Sequence, residues 1–150
     1  GVPRPIFSSH EGYNRALEIA GSPNVGVCFC VGCWLEGGDL MGIGVLDSIR
    51  AFGRQNKLFK VHLRNGSAPL PHFVETFIDD GYMDMYSVMS ALVDVGFDGV
   101  VIADHIPQMS NDPRLGTAFT LGYMKALLER ANAEQAHNNK PPTTSTTSAT

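Results

Sequence analysis

Cys30, His62 and Asp104 are residues of three different types that can each ligate a divalent metal, and they stand 32 and 42 residues apart. A thiolate, an imidazole and a carboxylate form a mixed donor set that suits Mn, Fe, Co, Ni or Zn without choosing among them. His105 follows Asp104 directly, and an imidazole beside a metal-bound substrate can move a proton near neutral pH. Arg64, two residues beyond His62, could pair with a substrate carboxylate, although an arginine taken alone is more often an exposed charge. Taken alone, a strand-end cysteine is usually a small buried hydrophobe, and a single histidine is usually a hydrogen-bonded core or rim residue. Chemistry becomes the better reading only if the elements around these residues bring them to one place.

The patterning supplies such elements. Ser8 to Glu11 reads as a capping box with Ser8 as N-cap, ahead of a helix whose Tyr13, Ala16, Leu17 and Ala20 share a face and which Gly21 stops. Val25 to Cys30 reads as a short buried strand. Asp39 is expected to cap a second helix with Leu40, Ile43, Leu46 and Ile49 turned inward and Gly53 after it. Leu58 to Leu63 is a second strand, followed by a loop of about twenty residues to Met83, long enough to suspect a function. Asp84 should cap a third helix carrying Met85, Val88, Met89 and Leu92 at helical spacing, ended by Gly96. Gly99 to Ala103 is a third strand. A last helix is expected over about 118–133, with Leu121, Met124, Leu128 and Ala131 on one stripe. Residues 1–135 thus form the folded unit, and the Asn-, Pro-, Ser- and Thr-rich stretch over 136–150 is expected to be a disordered tail.

The order α-β-α-β-α-β-α predicts parallel strands joined by right-handed crossovers, and their low polarity predicts burial on both faces. Either a small open α/β sheet or an arc of an eight-stranded barrel fits; the barrel needs about 250 residues to close. In both, chemistry gathers at the carboxyl ends of the strands. Cys30 ends the first strand, His62 lies at the end of the second, and Asp104 and His105 follow the third. That coincidence raises the metal-site reading level with the separate structural ones.

Composition bounds the partners. The chain has 150 residues, a formal net charge of −4 and 17% charged residues, which gives no electrostatic reason to expect nucleic acid and no polybasic stretch for a membrane surface. The longest apolar run, Val25 to Leu35, is too short to span a bilayer, and no signal peptide stands at the start. The chain begins with Gly1 rather than Met, so a processed form or a fragment is expected. Three cysteines, Cys28, Cys30 and Cys33, packed into six residues do not make a secreted disulfide framework; a reducing, cytoplasmic setting is expected. Cys30-x-x-Cys33 has the form of a redox or metal pair but lacks the second pair of a four-thiolate zinc site, and a thiol redox module is a minor alternative. Cys28 shares a strand face with Cys30 and reads as core packing, as do Trp34 and the phenylalanines. Glu75, Asp79 and Asp80 read as a solvated acidic loop. Gly42-x-Gly44 lacks the third glycine of a dinucleotide fingerprint.

Four short segments in order resemble one family over nearly the whole chain before the tail. They are Val27-Cys28-Phe29-Cys30-Val31-Gly32 leading into Glu36-Gly37-Gly38; Phe59-Lys60-Val61-His62-Leu63-Arg64-Asn65; Phe73-Val74-Glu75-Thr76 ahead of Asp79-Asp80-Gly81-Tyr82-Met83-Asp84-Met85-Tyr86; and Val95-Gly96-Phe97-Asp98-Gly99 leading to Ala103-Asp104-His105-Ile106-Pro107. Together they resemble mannonate dehydratase. The resemblance implies the C-terminal part of a xylose-isomerase-like TIM barrel and loss of water from D-mannonate to give 2-keto-3-deoxy-D-gluconate in hexuronate breakdown. It implies Mn2+ or Fe2+ held by a cysteine, two histidines and an aspartate, of which Cys30, His62 and Asp104 are the matches here, with His105 in a proton-transfer role and Arg64 orienting the acid group. The other histidine belongs to a His-Pro-Asp-Asp-Pro-Pro segment expected just upstream of Gly1, so a fragment inactive by itself is expected. Many members carry a histidine where this chain has Ile78. A functional tyrosine of the family's last loop is replaced or displaced here, with Phe119 standing near its place and Tyr123 read as a different residue. Two alternatives stay open: another metal-dependent sugar isomerase or epimerase of the same barrel, and a truncated remnant that acts only through interactions. Open sheet edges would favour pairing with another chain, including a homo-oligomer.

Overall fold

The computed structural model describes residues 7–140. Helix α1 spans His10–Ala20, and strand β1, Val27–Cys30, runs directly into the short helix α2, Val31–Gly37. A 3-10 turn, Gly38–Met41, leads to α3, Val45–Arg54, and then to β2, Leu58–Leu63. The long loop contains a two-residue antiparallel pair, β3 (Asn65–Gly66) with β4 (Glu75–Thr76). Helix α4, Met85–Asp94, strand β5, Val100–Ala103, and the 26-residue α5, Pro113–Asn138, complete the order.

β1, β2 and β5 form one parallel sheet in that order. Successive side chains of a strand point to opposite faces. Phe29 and Val61 are fully buried on one face, against Phe52 and Ile49 of α3 and Val88 of α4. Trp34 lies 4.3 Å from the Phe29 ring, centroid to centroid, and Tyr13 of α1 packs 5.3 Å from Trp34. The opposite face, carrying Cys28, Lys60 and His62, is partly or fully exposed. The strands are therefore buried on one face, not on both as the low polarity suggested, and Cys28 is exposed rather than core. Helices gathered on one face of a parallel sheet are the arrangement of a barrel wall; an open doubly wound sheet carries them on both.

Several local expectations shift. Ser9, not Ser8, caps α1, its Oγ accepting from the Gly12 N–H at 3.2 Å. The helix expected from Asp39 is broken: Gly42 sits at φ +88°, and the chain restarts as a helix only at Val45. Leu40 and Ile43 are consequently exposed, while Val45, Ser48, Ile49 and Phe52 form the inward face. α5 begins earlier than expected because Asp112 caps it and Pro113 occupies its first turn, where a missing N–H costs nothing. Its buried positions are Gly116, Thr120, Met124, Leu127 and Ala131, leaving Leu121 and Leu128 exposed. The helix continues to Asn138, past the expected start of the tail at 136; residues 141–150 lie outside the described residues. The third helix follows expectation: the Asp84 carboxylate accepts from the N–H groups of Tyr86 and Ser87, and Met85, Val88, Met89 and Leu92 are buried. Among the described residues no helix is long and apolar enough to cross a membrane.

Candidate metal centre

Strand register brings the candidate ligands together. Cys30 and His62 are paired across β1 and β2, and His62 is paired with Ile102 of β5. The Asp104 N–H donates to the Leu63 carbonyl at 3.1 Å, extending the ladder one residue past β5. Two residues beyond Ile102, Asp104 returns to the same face. The ligand atoms of Cys30, His62 and Asp104 all lie within 4.8 Å of one another. Cys30 Sγ is 3.6 Å from Asp104 Oδ2, and His62 Nδ1 is 3.8 Å from Asp104 Oδ1. All three are half-buried, open to a small ligand yet fixed by the sheet.

Arg64 lies beneath them and is only 5% exposed. Its Nε donates to Asp104 Oδ2 at 3.2 Å, Nη1 to Glu75 Oε1 at 3.2 Å, and Nη2 to Glu36 Oε2 at 2.9 Å and to Cys33 Sγ at 3.8 Å. The Phe73 ring lies 5.3 Å from the guanidinium carbon. Gly32 makes this position possible, because a Cβ there would fall 2.3 Å from Arg64 Cγ and Nε. An arginine fork suits several carboxylates at once where a lysine would not.

His105 is 60% exposed on its side chain, and its Nδ1 is hydrogen-bonded to Glu75 Oε1. Its Nε2 stands 3.8 Å from Asp104 Oδ1. The Glu75 hydrogen bond, opposed by slight burial and assisted by the Asp104 charge, holds the His105 pKa above its ordinary value. The β3–β4 pair carries Glu75 back from the loop to the strand ends. Asn65 anchors that loop, its side-chain N–H donating to the Ile78 and Met83 carbonyls at 3.0 and 2.9 Å. Glu75 and Glu36 are the members of the site that patterning missed: nothing local distinguishes them from solvated acids.

Cys33 lies on the first turn of α2, and its N–H donates to Cys30 Sγ at 3.3 Å. The hydrogen bond from the Cys30 thiol draws the Cys33 pKa down to about 6, against burial and with help from the Arg64 charge. The same pairing, with burial, pushes the Cys30 thiol up.

The donors fit a divalent transition metal by chemistry as well as by distance. Glu36, Glu75 and Asp104 surround one guanidinium, so carboxylate charge exceeds cationic charge around the strand ends. A divalent cation would offset that excess and would favour the thiolate of Cys30 over its thiol. Of the residues singled out in the sequence, Cys30, His62, Asp104, Arg64 and His105 all meet here. Ile78 is buried, 3% exposed, and Phe119 stacks on Tyr123 of α5 at 6.3 Å.

A parallel sheet with helices on one face and metal-capable side chains at the carboxyl ends of its strands defines a segment of a TIM barrel. A solved xylose isomerase-like TIM barrel/4-hydroxyphenylpyruvate dioxygenase fusion protein shares that fold, with a TM-score of 0.63 over 91% of this chain and 22% of its own, at 19% identity. The model of the D-mannonate dehydratase (UxuA) family matches residues 1–138, and the chain belongs to that family. It is 35% identical over 114 residues to a mannonate dehydratase of Oceanobacillus iheyensis, covering 70% of this chain and 29% of the relative. A crystal structure of mannonate dehydratase from Streptococcus suis serotype 2 superposes with a TM-score of 0.70 at 25% identity, covering 84% of this chain and 39% of the other. The chain thus spans well under half the length of these relatives.

Proposed function

We propose that the protein carrying this chain is a metal-dependent hydro-lyase that converts D-mannonate to 2-keto-3-deoxy-D-gluconate and water, in cytoplasmic breakdown of hexuronates. The observation that carries this reading is the convergence of Cys30, His62 and Asp104 within 4.8 Å, in a chain whose family match runs over residues 1–138. In this reading Cys30, His62 and Asp104 hold Mn2+ or Fe2+ together with the second histidine that the family resemblance implies. The bound metal supplies a Lewis acid for the negative charge that develops on the substrate as its C2 proton leaves.

The chain's own residues do the rest. His105 moves one of the two protons: either the one lost from C2 or the one gained by the departing C3 hydroxyl. Glu75 accepts from Nδ1 and leaves Nε2 as the working nitrogen. Arg64, expected to orient the substrate's acid group, is 5% exposed with its donors engaging Asp104, Glu75 and Glu36, and in this reading it acts instead as a positioning residue for the first two. The hydroxyl leaves as water once protonated, and the resulting enol becomes the 2-keto group.

The test is to express the longest open reading frame that contains this chain, load it with Mn2+ or Fe2+ without oxygen, and supply D-mannonate. Formation of 2-keto-3-deoxy-D-gluconate, abolished by chelation and restored by metal, is the expected result. Interconversion of aldoses, ketoses or epimers with no dehydration would replace this reading by the isomerase one. Metal-independent product would refute the metal.

A further inference from the structure

The hydro-lyase reading uses Cys30 and leaves Cys33 without a task. Cys30 caps α2 and Cys33 follows three residues later, so both side chains emerge on one side of the turn. The Cys33 N–H donates to Cys30 Sγ at 3.3 Å, which holds the two cysteines side by side at the start of α2. Both thiols are free, and Cys33 is the more exposed of the two. Nη2 of Arg64 lies 3.8 Å from Cys33 Sγ and Asp104 Oδ2 lies 3.6 Å from Cys30 Sγ, so both sulfurs border the same side-chain cluster. Cys28, the third cysteine, is two residues back along β1 in an extended strand and has no such contact with either.

We propose that Cys30 and Cys33 are a reversible redox modification site, in which a disulfide between them removes Cys30 from the metal-ligand set. The gating half of this proposal rests on Cys30 being a ligand; the disulfide half does not. With hydrogen peroxide as oxidant, Cys33 sulfur attacks one peroxide oxygen, the O–O bond breaks, and Cys33 sulfenic acid and water form. Cys30 sulfur then attacks Cys33 sulfur, the S–O bond breaks, and a second water leaves with the Cys30 proton. The two thiols lose two electrons and two protons, and peroxide is reduced to two waters. A small dithiol returns both thiols by exchange. A thiolate bound to metal is withheld from this reaction, so metal and oxidant compete for the same sulfur.

The experiment treats the reduced, metal-free chain with stoichiometric hydrogen peroxide, alkylates the remaining thiols, and maps the products by peptide mass. Three free cysteines should become one, Cys28, with Cys30 bridged to Cys33 and both recovered by dithiothreitol. Mn2+ added first should protect the pair, and the oxidised chain should bind no Mn2+ until reduced. Cys33→Ser should still bind Mn2+ and should form no bridge from Cys30. Retention of all three thiols, over-oxidation of Cys33 without bridging, or a bridge through Cys28 would overturn the proposal. If the bridge forms as mapped but reduced wild type and Cys33→Ser both fail to bind Mn2+, the metal reading and the gating fall together while the modification site stands.

Discussion

Replacing Arg64 with methionine is expected to destabilise the chain by about 3 kcal/mol, near the lower end of the cost of breaking a buried ion pair by removing one partner. Arg64 is 5% exposed, and its loss strands Asp104, Glu75 and Glu36, whose side chains are 18%, 38% and 34% exposed. Their partial exposure lets water relieve some of the loss, which keeps the effect from being larger. In a domain of this size the thermal midpoint should fall by roughly 10 °C. A second readout separates positioning from mere stability. Asp104 loses the donor at 3.2 Å that orients it, so metal affinity should drop about 10- to 100-fold, as for other outer-shell partners of metal ligands. Arg64→Lys keeps the charge but not the fork, and should recover part of the stability and little of the affinity. An unchanged midpoint and unchanged metal affinity in Arg64→Met would show that the cluster is incidental.

In the protein proposed to carry this chain, His105→Ala should cut dehydration by about 10²- to 10⁴-fold, the range that a general acid or base supplies, while bound metal stays at the wild-type level. The split follows from the geometry. His105 reaches the site from its rim, 60% exposed, with Nδ1 committed to Glu75, and it stands outside the group formed by Cys30, His62 and Asp104. Turnover with D-mannonate and metal content by elemental analysis, measured on the same preparation, check it. Equal loss of both would move His105 into the ligand set, and unchanged turnover would remove it from the chemistry.

Much of the site is legible in the sequence because strands report it simply. Leu58 to Leu63 and Asp84 with its helix carry unambiguous local signals, and strand ends in a parallel sheet share an edge, so Cys30, His62 and Asp104 could be gathered without coordinates. What stays hidden depends on contacts between segments distant in sequence. Arg64 is buried because Gly32, on another element, vacates the space it needs. Glu75 faces His105 because β3 and β4 fold the loop back, and two-residue strands leave no periodicity to detect. Helix α2 vanishes into the apolar run from Val25 to Leu35, where strand and helix join at Cys30 without a polar boundary. The false helix from Asp39 shows the opposite error: Leu40, Ile43, Leu46 and Ile49 have helical spacing, yet Gly42 at φ +88° breaks the chain between them. In α5 the start signal is Asp112-Pro113, and of the expected stripe Met124 and Ala131 are buried while Thr120 and Leu127 take the inward places expected for Leu121 and Leu128.

In the proposed centre, Cys30, His62 and Asp104 hold one metal ion. Titration of the reduced chain with Co2+, followed by absorption, tests it most directly, because a thiolate bound to cobalt gives a near-ultraviolet charge-transfer band that oxygen and nitrogen ligands do not. One Co2+ per chain with that band is expected, with loss of the band in Cys30→Ser and affinity at least about tenfold weaker, ~1.4 kcal/mol, in Asp104→Asn and His62→Ala. A band that survives in Cys30→Ser, or affinity indifferent to all three substitutions, would contradict it.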